Sequence, residues 1–126
     1  NGMSGPSEND FAIFRLADVY LMKAEALLRN NGDQAEATRL LNAVRQRGFD
    51  DATKLKSSIT LDDVYQERRF EFAWELYTRQ DQIRFGKFLN VIPDWKNYVS
   101  DSKYLIFPIP TAAIDANPGL RQNPGY

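Results

Sequence analysis

The chain has 126 residues, 43% of them hydrophobic, with 17 acids against 16 bases, the makeup of one folded domain or a piece of one. A net charge of −1 gives no general attraction to nucleic acid or to an anionic membrane. Cysteine and histidine are absent, which removes disulfides, thiolate metal sites, the commonest metal ligand and the usual general base, and no apolar run approaches the ~20 residues of a membrane span.

Residues 1–10, "NGMSGPSEND", lack an apolar segment and read as a linker or a cut end. Residues 11–29 read as a helix capped by Asp10, with Ile13, Leu16, Ala17, Tyr20, Ala24, Leu27 and Leu28 at i, i+3, i+4 spacing. "NNG" ends it, and Gly32 is the residue expected to take positive φ. Asp33 and Glu36 then form a capping-box-like pair, and Ala37, Leu40, Leu41 and Val44 make the inner stripe of a second helix closed by Gly48. So short a link requires an antiparallel hairpin. Its size, with Ala24 and Ala37 allowing close approach, suits a tetratricopeptide-type unit as well as a generic hairpin.

"ITLDDV" starts a third helix, with Thr60 as N-cap, Asp63 at N3 and Ile59 stapled onto Val64. That helix is predicted to run to about Tyr77, followed by a short one ending at Gly86. After residue 89 helical periodicity disappears. The tail holds all but one of the prolines, an extended run "KYLIFPIP", and enough aromatic and aliphatic residues to wrap a surface rather than stay disordered. The expected fold is all-α: two helix hairpins followed by an irregular, proline-rich tail.

The stretch "QERRFEFAWELYTRQDQIRFGKF" concentrates the charge. Glu67, Glu71 and Glu75 stack along one helix face, where like charges repel by about 0.2–0.5 kcal/mol per pair. Phe70, Phe72, Ala73, Trp74, Leu76 and Tyr77 leave hardly any polar face, so the helix is expected to be buried and its charges paired. Arg69, with Arg68 as second choice, is expected to be mostly buried and to bond Glu67, Glu71 or a carbonyl of the neighbouring hairpin, and Arg79 to answer Glu75. Arg45 or Arg47 is to join from the neighbouring helix. A glycosidase reading of Glu67 and Glu71 needs two carboxyls across a cleft with separated pKa values. Two acids on one helix among arginines do not provide that. A nucleic-acid reading fails on the acids between the bases. No catalytic, cofactor-binding or metal residue is therefore assigned. Trp95 and Tyr98, in the loop beside Pro93, are the candidate carbohydrate-binding residues, although burial of Trp95 as an anchor is the favoured outcome. The two Asn-Pro-Gly copies at 117–119 and 123–125 read as turns only.

"FRLADVYLMKAEALLRNNGDQAEATRLLNAVRQR", "ERRFEFAWE", "DQIRFGKF", "FPIP" and the closing "NPGLRQNPGY" occur in order. Together they resemble the C-terminal part of the SusD/RagB family of outer-membrane nutrient-binding lipoproteins, over residues 11–126. The resemblance implies a largely helical, tetratricopeptide-like region with Tyr126 as true C-terminus and a lipidated N-terminus far upstream. It implies a lipid-anchored protein on the outer face of the outer membrane of Bacteroidetes. There it would cap a SusC-like TonB-dependent transporter and capture an oligo- or polysaccharide, or in some members a peptide, without catalysis or cofactor. The family often has Gly where Leu76 stands, and Arg where Thr78 stands. Leu76 therefore implies a helix running on more smoothly, and Thr78 one cation fewer in the network. The alternative is a tetratricopeptide-type module that binds a protein partner. A lipobox cysteine upstream in the full gene separates the two.

Overall fold

The computed structural model describes residues 12–49 and 51–126, so the predicted Asp10 cap and the 1–10 linker lie outside the described residues. The chain divides into two compact units that meet in sequence at Glu71 and Phe72.

In the first unit, helix α1 (Leu16–Arg29) is followed by α2 (Gln34–Gly48), a 3-10 turn (Ala52–Lys54) and α3 (Leu61–Glu71). Helix α1 starts five residues later than the predicted residue 11, and Arg15 occupies the N-cap without a side-chain capping bond. Ile13 and Leu16 are exposed, and the buried face of α1 runs through Asp18, Leu21, Ala24 and Glu25. The predicted stripe was thus rotated, because two acids take core positions that an apolar count skips. The end of α1 has the two bonds of a Schellman motif: Gly32 N donates to Leu27 O at 2.8 Å and Asn31 N to Leu28 O at 3.3 Å. Asn31, not Gly32, holds the left-handed conformation at φ 51. Gly32 serves a different need, since a Cβ there would sit 3.2 Å from Leu27 Cδ2.

Half of the predicted capping box opens α2: the Asp33 carboxylate accepts from Ala35 N and Glu36 N, while the Glu36 carboxylate pairs with Lys23 and Arg39. Ala37, Leu40, Leu41 and Val44 are all buried against the hairpin partner, and α3 packs on both helices. Each fully buried Leu there is worth about 1.5–3 kcal/mol. Thr60 and Asp63 close a reciprocal capping box: Asp63 Oδ2 accepts from Thr60 N at 2.8 Å, and Thr60 Oγ1 accepts from Asp63 N at 3.3 Å. Ile59 and Val64 are both buried beside it.

The second unit opens where α3 was expected to continue. The helix stops at Glu71, and Trp74 and Leu76 take φ 69 and 67. Two left-handed residues cannot lie in a right-handed helix, so the predicted run to Tyr77 is broken. Leu76 does the opposite of smoothing the helix, since it adopts the conformation that favours a glycine. Only Phe72 of the aromatic run is buried; Trp74 is 98% and Leu76 85% exposed. Helix α4 (Thr78–Arg84) follows and ends as predicted at Gly86, φ 68, with Lys87 N donating to Gln82 O at 2.7 Å. The tail is more regular than its prolines suggest. A 3-10 turn (Ser102–Leu105) occupies the first part of the predicted extended run, and α5 (Thr111–Ala116) was not anticipated. Among the described residues there are helices and one isolated antiparallel bridge, Ile92 to Lys96, and no strand.

Candidate functional site

Glu67 and Glu71 of the acidic stack are answered by cations from two segments, Arg15 before α1 and Arg45 and Arg47 on α2. Glu71 accepts from Arg15 Nη1 at 2.7 Å and from Arg47, and Glu67 accepts from Arg45 Nη1 at 2.5 Å. Arg68, only 1% exposed, donates to the buried Asp18 of α1 at 2.7 Å. Arg69, the residue first expected in this network, is exposed; it lies over the Tyr65 ring at 5.6 Å. The order is reversed because Arg68, not Arg69, falls on the inner face of α3. Burial pushes the Glu67 carboxyl above its ordinary value, against the opposing pull of Arg45. Both glutamates are thereby committed to arginines within the helical unit.

A different arrangement occupies residues 79–126. Pro93 and Asp94 form a type II turn: Asp94 has φ 65, and Trp95 N donates to Ile92 O at 3.0 Å. Trp95 leaves this turn 91% exposed, so it is not the buried anchor the sequence favoured. Three residues on, Tyr98 lines a pocket of about 480 Å³. Phe88, Tyr104, Phe107 and Tyr126 supply its other aromatic walls, and Arg79, Gln82, Lys96 and Ser100 its polar groups. Trp95 does not line it, so the structure gathers one of the two predicted residues and leaves the other outside.

Arg79 is the centre of this pocket. Its guanidinium carbon lies 4.2 Å from the centroid of Phe107 and 4.8 Å from that of Phe88, and Nη2 donates to Tyr104 O at 2.8 Å. The expected pairing with Glu75 is replaced by two rings, at distances where cation–π attraction operates. Lys96 Nζ donates to Ser100 Oγ at 2.8 Å and lies 5.7 Å from the Tyr98 ring centroid.

The second Asn-Pro-Gly copy does more than turn. Asn123 Nδ2 donates to Phe107 O at 2.7 Å, and the Tyr126 hydroxyl lies 3.1 Å from Ile106 O and 3.2 Å from Lys103 O. Gly125, at φ 91, lets this closure form, since a Cβ there would sit 2.9 Å from Lys103 Cβ. The pocket wall carrying Tyr104 and Phe107 is thus held by the last four residues. Sequence reasoning missed Tyr104, Phe107 and Tyr126 as site residues; the signal was the recurrence of aromatics in "KYLIF" and "NPGY".

A model of the SusD family matches residues 1–126. The chain is 35% identical to the starch-binding protein SusD of Bacteroides thetaiotaomicron, over 94% of this chain and 22% of that protein. It is 36% identical to the SusD-like protein P25 of Formosa agariphila, over 90% of this chain and 24% of that one. Among solved structures, it is similar to the surface glycan-binding protein A of Bacteroides thetaiotaomicron in complex with laminarihexaose. That likeness has a TM-score of 0.74 at 35% identity, over 91% of this chain and 25% of the other. The chain spans about a quarter of the length of the curated relatives it matches.

Proposed function

Because the chain belongs to the SusD family, we propose that it is part of a glycan-capture protein at the outer-membrane surface. Residues 12–71 are the scaffold of that protein, and residues 79–126 contribute a sugar contact through Tyr98, with Trp95 as an outer platform. The observation that carries this is the aromatic pocket in a chain similar to a glycan-binding protein solved with laminarihexaose. Aromatic faces set beside a few hydrogen-bonding groups match the apolar and hydroxyl sides of a sugar ring. The commitment of Glu67 and Glu71 to arginines supports binding without catalysis. In this reading the full protein is lipid-anchored through a segment upstream and passes its ligand to a SusC-like transporter.

The test is made in the full-length protein, with laminarihexaose and starch oligosaccharides as first probes. Tyr98→Ala should weaken binding about fivefold, roughly 1 kcal/mol, at unchanged melting temperature, with a smaller loss for Trp95→Ala. Unchanged affinity in both variants would remove this region from the ligand site.

A further inference from the structure

The pocket of residues 79–126 contains two cations, Arg79 and Lys96, and no acidic side chain lines it. Neither cation has a carboxylate partner among the described residues: Arg79 donates to the carbonyls of Tyr104 and Leu105, and Lys96 to Leu89 O and Ser100 Oγ. Most arginines of residues 12–71 pair with acids, Arg69 on the Tyr65 ring apart. Both cations are also partly withdrawn from water. Withdrawal without a counter-charge is costly, and a ligand that carries the missing charge recovers that cost on binding. Arg79 is held in advance between Phe88 and Phe107, so little side-chain entropy remains to be lost when an anion arrives.

We infer that this pocket selects an acidic sugar, one bearing a carboxylate or sulfate, over neutral glycans. The inference rests on the glycan-capture reading above and sharpens its substrate class. Tyr98 stacks on the apolar face of the ring, while Arg79 and Lys96 donate to the anionic group. A neutral ring fills the same aromatic walls but leaves both cations unanswered. Charge-assisted hydrogen bonds are roughly twice as strong as neutral ones, so discrimination arises from the anion rather than from the stacking.

The experiment measures binding of oligogalacturonate, its carboxyl-reduced form, a sulfated oligogalactan and laminarihexaose to the full-length protein. Oligogalacturonate or the sulfated ligand should bind about tenfold more tightly than the reduced form. That advantage should shrink between about 50 and about 500 mM salt, as screening shortens to a few ångströms. Preference for only one of the two charged ligands identifies the anion and supports the assignment. Arg79→Gln should erase the advantage of the charged ligands over the reduced form. Arg79 also braces the wall, so Lys96→Gln and the ligand-side reduction repeat the test without disturbing that brace. Equal affinity for charged and reduced ligands would overturn the acidic selectivity and leave glycan capture standing. Absence of binding to every glycan would remove both.

Discussion

In residues 12–71, Arg15, Arg45, Arg47 and Arg68 end on the carboxylates of Glu71, Glu67 and Asp18. In residues 72–126, Arg79, Lys96 and Lys103 end on aromatic faces and backbone carbonyls, while Arg84 ends on Asp81. The same residue types therefore serve two ends. A cation already paired with an acid inside a core fixes helices and has little left to offer a ligand. A cation resting on rings keeps its charge unneutralised and remains able to recognise an anion. The regions differ in backbone as well: the first places its left-handed residue at Asn31, where asparagine tolerates it, and the second has, besides Asp94 in its turn, Trp74 and Leu76, where the residue type does not favour it.

This contrast is most open to attack at Arg68. Arg68→Met leaves Asp18 buried without its cation, and about 3–5 kcal/mol of stability should be lost in urea unfolding. The double variant Asp18→Leu/Arg68→Met should regain most of it. A single variant as stable as the parent would show that the buried pair is not structural. Leu76→Gly probes the backbone side of the contrast. Relief of left-handed strain outweighs the entropy cost of glycine, for a gain of about 0.5–1 kcal/mol. A loss would mean that the Leu76 side chain holds the turn. The smallest effects are protonic, and their signs oppose each other. Hydrogen bonds from Arg39 and then Lys23 hold Glu36 at about 2, below its ordinary 4.5, so its contribution is complete above pH 4.5 and is lost as pH falls toward 2. Burial raises Glu67, so its ionisation lowers stability as pH rises past the ordinary value. Carboxyl NMR titration reads both, and a Glu36 midpoint near 4.5 would discount the Arg39 and Lys23 bonds.

What was legible in the sequence was local. The caps at Asp33 and Thr60, the Asp63 reciprocal bond and the inner stripe of α2 each depend on residues within four positions, and each is found as read. The break after Glu71 was not legible, because its positive φ values fall on Trp and Leu instead of Gly or Asn, the residues that announce such turns. The Arg68–Asp18 pair spans 50 positions and puts charges where periodicity expects apolar groups. The pocket was half legible. Tyr98 could be singled out as a loop aromatic, but its company depends on Arg79 meeting Phe107, and on Tyr126 closing back on residues 103–106, which no short motif encodes.

The closure by the last residues has a consequence for association between chains. "IFPIP", residues 106–110, has the β-branched and aromatic makeup of an adhesive strand, and such a run, left open, recruits other strands edge to edge. Here its hydrogen-bonding groups are largely spoken for. Pro108 and Pro110 have no N–H to offer. Gln122 takes both the N–H and the carbonyl of Ile109 at 2.8 Å, imitating a neighbouring strand with a single side-chain amide. Asn123 occupies Phe107 O and Tyr126 reaches Ile106 O. A passing β-edge therefore meets little unsatisfied backbone, and the segment can show Phe107 to solvent without acting as a template for aggregation.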